Sequence, residues 1–235
     1  MNLGVPHFEL AIRDLVAKYL RPVHLEDGCS DQMINNCETA LEIAFPKSLI
    51  QYFKTLGNAS DINTSFYKTL SPDQVTRVFV GDKEYLIVAQ GHQELSHFGI
   101  LVNKLKEEDP PVYEIVGNSV EMSFSASRSF YVFVIMWQLI NQLGKNRATS
   151  FISLSTSRKI ASIANPVILS RNNTGNLKFY TTEECLILLT TEGKKHLVSM
   201  AAIETSSIKN YCSKFKLEIS FSNLCPPDHQ TAKLD

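Results

Sequence analysis

Residues 123–144, SFSASRSFYVFVIMWQLINQLG, place the strongest constraint on how this chain can fold. Serine capping residues open the segment and Gly144 closes it. Between them Phe130, Phe133, Val134, Trp137 and Ile140 leave little of a helical circumference polar. A surface helix needs only an apolar stripe, so a helix of this kind has to be covered on more than one side. The residues before it supply a cover. After a polar loop (58–74) the hydrophobic period drops from 3.6 to about 2. VTRVFVG (75–81), EYLIVAQG (84–91), HFGILVNK (97–104) and PVYEIVG (111–117) then read as four short strands. Their short connections predict an antiparallel sheet with the apolar helix lying across it.

Upstream the pattern is helical. Phe8, Ala11, Ile12, Leu15, Val16 and Tyr19 recur at three and four, predicting a helix over about 6–20 that Pro22 stops. Residues 23–34 read as a polar connection, and 35–44 as a second helix. Pro46 suits the first position of a third helix, where its missing N–H costs nothing. That helix presents Leu49, Ile50, Phe53 and Leu56 on one face and is capped by Gly57-Asn58. Downstream, the polar KNRATS (145–150) marks a boundary between a domain at 1–145 and an extension or small second lobe at 146–235. NLKFYTT, ECLILLTTEGKKHLVSMA and IETSSIKNYCSKF predict two or three strands and a helix there, with a hairpin turn at Thr191-Glu-Gly-Lys194. CPPDHQTAKLD reads as a frayed tail. The expected fold class is α+β: a twisted, mostly antiparallel sheet flanked by helices near 6–20, 46–57 and 129–143, with an α+β C-terminal extension.

Composition removes several function classes. With 44% hydrophobic and 20% charged residues among 235, the chain is not disordered as its main state. No run of about 18 apolar residues spans a bilayer, so no membrane partner is expected. Glu9 and Asp14 interrupt the amino terminus before a signal-type apolar core forms, which points to a cytoplasmic protein with reduced thiols. Cys29, Cys37, Cys185, Cys212 and Cys225 are widely spaced with no CxxC pair, and no HExxH or close His/Cys/carboxylate cluster occurs. No GxxxxGK[ST] or GxGxxG loop is present either. No metal and no cofactor is therefore expected. The sequons at Asn58, Asn63 and Asn172 are discounted for want of a secretion signal. The net charge of −1 divides unevenly, −5 over 1–145 and +4 over 146–235, a difference that can steer partners or reflect ordinary surface scatter.

Candidate chemistry is sparse. His24, Asp27 and Cys29 are the best thiol constellation, but they crowd one polar loop, whereas a nucleophile, base and orienter usually come from separate elements. Cys185, in ECLILL, reads as a small buried hydrophobe. His92, Glu94 and His97 flank a tight connection between strands and suit an exposed recognition turn better than a metal or acid–base site. Glu107, Glu108 and Asp109 form the only acidic run, either a solvated loop tip or a lip that meets a basic partner. Lys209, Lys214 and Lys216 have Tyr211 and Phe215 among them, as nucleic-acid binders can. A solvated helix face over buried aromatics explains them more simply, and nucleic acid is not the expected partner.

The stretch from Ala40 to Leu139 resembles the SUKH superfamily, named partly for a yeast cell-wall-synthesis regulator and rich in bacterial immunity proteins of polymorphic toxin systems. The features come in order. A helix ends near Phe45-Pro46, where the family has a Leu-Pro or similar pair. SLIQYFKTLGN (48–58) looks like its "xxFLxxxGN" helix, and the strand EYLIVAQ (84–90) follows. HQELSHFGI (92–100) is similar to its turn into a "WGI"-type strand, and DPPVYEI (109–115) to its "DPxVY" strand. The helix beginning near Ser129-Phe130 matches its "sFxxFL" ending. Phe98 stands where Trp is frequent, and residues after 145 lie outside what the family explains. The resemblance implies a non-enzymatic protein-binding domain, an immunity protein that neutralises a cognate toxin by direct binding. Glu94, His97, Glu107, Glu108 and Asp109 would be its partner-binding residues. A basic, nuclease-like toxin would suit the acidic run, since nucleases carry positive charge to hold phosphates. The rival readings are a regulatory or scaffold interaction module and, in a different class, a thiol-dependent hydrolase or transferase using Cys29 and His24. The oligomeric state is not legible.

Overall fold

The six apolar residues at helical spacing in the amino-terminal segment are all buried on one stripe of α1 (Phe8–Tyr19). The computed structural model describes residues 7–64, 67–91, 95–143, 146–167 and 177–217. These fall into two compact units, residues 7–138 and residues 139–167 with 177–217. Among the described residues there are seven α-helices and two antiparallel sheets, an α+β fold.

In the first unit, α2 (Asp31–Leu41), α3 (Lys47–Leu56) and the single turn α4 (Ser60–Asn63) follow α1. α2 begins four residues before the expected 35, because Ser30 Oγ accepts from the Met33 amide at 3.2 Å and caps it there. It ends at Leu41, before Glu42 turns left-handed (φ 54°). Pro46 is the N-cap of α3 and not its first residue. Gly57 ends α3 in ordinary right-handed geometry (φ −58°). Its missing side chain serves close approach, since a Cβ there would sit 2.5 Å from the Cys29 sulfur and 2.7 Å from the Phe53 carbonyl oxygen. The expected polar loop at 58–74 in fact carries α4, the two-residue strand β1 (Lys68–Thr69) and a 3-10 turn at Pro72–Gln74.

The four expected strands are present as β2 (Thr76–Val80), β3 (Lys83–Gln90), β4 (His97–Leu101) and β5 (Val112–Val116). A fifth, β6 (Ser119–Phe124), occupies residues partly assigned to the start of the helix. The sheet runs β1-β3-β4-β5-β6, and β2 pairs with β3 on the edge it shares with β1. The β2–β3 hairpin closes through Gly81-Asp82, with Gly81 at φ +62°, the mirror-image turn that matches strand twist.

α5 (Ser127–Gln142) is the apolar helix, and the structure accounts for its composition. Phe130 and Phe133 reach the sheet, with ring centroids 5.1 Å (Phe98–Phe130) and 5.3 Å (Phe124–Phe133) apart. On another side Tyr131 stacks on Tyr52 of α3 at 4.1 Å. The helix is the middle layer between sheet and helices, and every residue from Phe130 to Met136 is buried.

The second unit contains more than the expected two or three strands and one helix. β7 (Arg147–Ile152), α6 (Leu154–Ile163), β8 (Asn165–Val167), β9 (Leu177–Thr181), β10 (Cys185–Glu192), β11 (Lys195–Ala202) and α7 (Thr205–Lys214) give a sheet ordered β7-β11-β10-β9-β8. The polar KNRATS segment opens β7, which pairs with β11 and turns Ala148 into the core. Ile160, Ile187, Val198, Met200 and Ile208 are the centre of that core.

Candidate functional site

The acidic run lies in the connection between β4 and β5, and its three carboxylates have different surroundings. Asp109 turns inward. Its Oδ1 accepts from the Arg128 amide at 2.8 Å and from Ser127 Oγ at 2.9 Å, so it caps the first turn of α5 from another element. Its Oδ2 lies 3.5 Å from the guanidinium of Arg128, whose side chain is 3% exposed. Arg128 also donates to Gln51 Oε1 of α3, and Ser127 Oγ is 2.5 Å from Ser48 Oγ. The Glu108 carbonyl accepts from the Ser48 amide at 3.0 Å. One loop thus supplies acceptors to the amino-terminal turns of both α3 and α5, where helix dipoles favour negative charge.

Glu107 and Glu108 point outward, their side chains 46% and 59% exposed. Glu107 pairs with Lys104 at 2.6 Å and Glu108 with Lys47 at 3.3 Å. Solvated pairs of this kind contribute little to stability, so a partner's cations can exchange with the lysines at small cost. Leu105 and Pro110 are buried on either side and, with Asp109, hold this rim in place. His97 is half-buried at the start of β4, opposite Gln90 and Ile115, about 13 Å of strand away from the loop's beginning. The loop that carries Glu107 and Glu108 leaves from the other end of that strand. Glu94 and His92 lie outside the described residues.

The His24, Asp27 and Cys29 loop is held by bonds of another kind. Arg21 grips Asp27 through two N–H groups at 2.7 and 2.8 Å and Asp61 through two more at 2.8 Å. Asp27 also accepts from the His24 backbone amide at 2.7 Å. The Cys29 thiol is buried and donates to Asn58 Oδ1 at 3.1 Å, and burial pushes it up to about 11. Cys185 and Cys212, both in the second core, are raised to about 12 and about 11 by the same cause. At neutral pH these three thiols carry almost no thiolate, the nucleophilic form. Among the described residues no group of three or more His, Cys, Asp or Glu could hold a metal ion, and no helix is long and apolar enough to cross a membrane.

The hydrogen bonds from Arg21 hold the Asp27 carboxyl below the usual carboxylate range. Its folded value lies under the unfolded value of about 3.9. The stabilisation is therefore complete above that pH and is lost as pH falls through the depressed value. Asp27→Asn is expected to be less stable than wild type by a constant amount from pH 5 to 7, with the gap closing below about pH 4. Urea melts across that range check it, and a gap that stays constant down to pH 2 would contradict the assignment.

In the second unit a cleft of about 370 Å³ runs between the β9–β10 turn, with Glu183 and Glu184, and α7, with Tyr211, Lys214 and Phe215. Tyr211 is buried and packs on Phe215 at 4.8 Å, and the Lys214 ammonium lies 5.4 Å from the Phe215 ring. The aromatics serve the core while Lys209, Lys214 and Lys216 are exposed. The cleft mixes carboxylates with its lysine, a poor lining for phosphates. No protein-family model, no curated protein and no solved structure matches this chain.

Proposed function

We propose that the chain is a non-enzymatic protein-binding protein, an immunity protein of SUKH type that neutralises a cognate toxin by direct contact, with Glu107 and Glu108 in the contact. The observation that supports this is the rim itself: two exposed carboxylates on a loop whose neighbours are buried or bonded into two helix ends. A pre-ordered rim loses little entropy on binding, and a basic partner can take the place of the two lysines because solvated pairs of this kind are weak. The ordered motifs between Ala40 and Leu139 support the immunity reading, and the raised thiols weigh against the thiol-dependent hydrolase or transferase.

The test is affinity capture by the tagged chain from lysate of the organism that encodes it, followed by expression of the captured protein alone and with this chain. The expected result is one basic partner, toxic alone and harmless when co-expressed. Its affinity should fall at least tenfold with Glu107→Lys plus Glu108→Lys and decline steeply with salt. Undiminished binding by the double variant would place the contact elsewhere. A stable partner without toxicity would favour the regulatory or scaffold reading, and recovery of no partner would sink both.

A further inference from the structure

The two edges of the first sheet are built differently. β6 carries Glu121, directly opposite Glu114 of β5, and an added strand would have to lie beside that like-charged pair. β2, TRVFV, has no comparable guard. Four of its five residues are exposed and the fifth half-exposed, with Val78 at 40% and Phe79 at 70%. Among the described residues it pairs only with β3. Its single charge is already engaged: Arg77 donates to both Glu84 oxygens at 2.8 Å and to the Leu41 carbonyl at the end of α2 at 2.9 Å. An open edge of this composition is a template for another strand.

The register says which strand fits. Val80 and Lys83 close a two-residue hairpin and form its hydrogen-bonded pair. By alternation, Thr76 and Val78 lie between the inward-facing groups in step with Val80, and the backbone N–H and C=O of Arg77 and Phe79 point away from β3. An antiparallel copy of TRVFV centred on Val78 sets Arg77 of each strand against Phe79 of the other, all four residues offering outward backbone groups. Val78 faces its own copy, and Thr76 faces Val80. Residues directly opposite share a face of the sheet, so each Phe79 ring lies on the flat side of an Arg77 guanidinium whose N–H groups are already satisfied. The segment is self-complementary in the way a two-fold interface requires.

We propose that the chain forms a symmetric dimer through β2, two copies joining their first sheets edge to edge. Light scattering after gel filtration, with the full chain at about 100 µM, is expected to give twice the 26.4 kDa protomer mass and to fall toward the protomer on dilution. Phe79→Lys should weaken the dimer at least tenfold. Phe79→Pro removes an N–H that β3 does not use and should abolish it, with both variants required to keep the wild-type thermal midpoint. A register-specific measurement stands beside these. Facing Val78 residues form a non-hydrogen-bonded pair with Cα atoms about 4.5 Å apart, within disulfide range. Val78→Cys should therefore cross-link between chains on mild oxidation, while Leu25→Cys, 87% exposed elsewhere, should not. A chain that stays monomeric at 100 µM, a dimer indifferent to both Phe79 variants, or equal cross-linking at the two cysteine positions would each overturn the proposal.

Discussion

Asp109→Ala is expected to destabilise the first unit by about 2–4 kcal/mol, the sum of a lost helix cap and of lost hydrogen bonds beside a buried guanidinium. The variant strips the cap from the Arg128 amide, takes the carboxylate from Ser127 Oγ and leaves a 3% exposed guanidinium with the Gln51 amide oxygen and, 5.8 Å away, the Phe8 ring. Glu107→Ala, two residues away, should cost no more than about 0.5 kcal/mol, because it removes only a solvated pair with Lys104. Denaturant melts of the two variants side by side are the check. Equal losses would mean that the acidic run is not divided between fold and surface.

Asn63→Ala should cost about 3 kcal/mol through a different mechanism. Asn63 is 7% exposed, and its amide nitrogen donates to the Leu56 carbonyl at 2.7 Å and the Gly57 carbonyl at 3.2 Å, tying off the end of α3. Its oxygen accepts from Tyr52 at 2.6 Å and Thr69 at 2.5 Å. Removing it leaves several buried polar groups without that partner, and each unmade bond costs about 1–3 kcal/mol before relaxation. Asn63→Asp restores the acceptor but not the donor and should recover only part of the loss. A melt showing Asn63→Ala within 1 kcal/mol of wild type would contradict the network. The same burial bears on the sequon at Asn63: its side chain has no room for a glycan in the folded chain.

What could be read from the residues followed the range of the interactions. The stripe of α1, the face of α3 and strands β2 to β5 are written in periods of a few residues, and the structure has them in those places. α2 was legible only from 35 onward, its cap at Ser30 and its first turn having read as polar connection, since Ile34 is its one buried residue and the apolar period is nearly absent. β6 does alternate, with Val120, Met122 and Phe124 out of step with Ser119, Glu121 and Ser123. The serines that follow drew its last residues into the helix. The site was harder. Nothing near Asp109 distinguishes it from Glu107 and Glu108, because its partners are 18 and 19 residues downstream and Arg128 reaches Gln51 across 77. The inertness of Cys29 likewise depends on Asn58, 29 residues away.

The position of α5 between two layers also has a consequence for how the chain is made. Both layers precede it in the sequence, and synthesis proceeds from the amino terminus at about 5–20 residues per second. The helices and strands of the first unit are all made before the 16-residue segment that seals them, which itself takes about 1–3 s to add. A chain released before Ser127 would present the rings of Tyr52, Phe98 and Phe124 with no aromatic from α5 to meet them. Such a truncated product is a substrate for holdase chaperones and for proteolysis, and folding of this unit is tied to completion of its last helix.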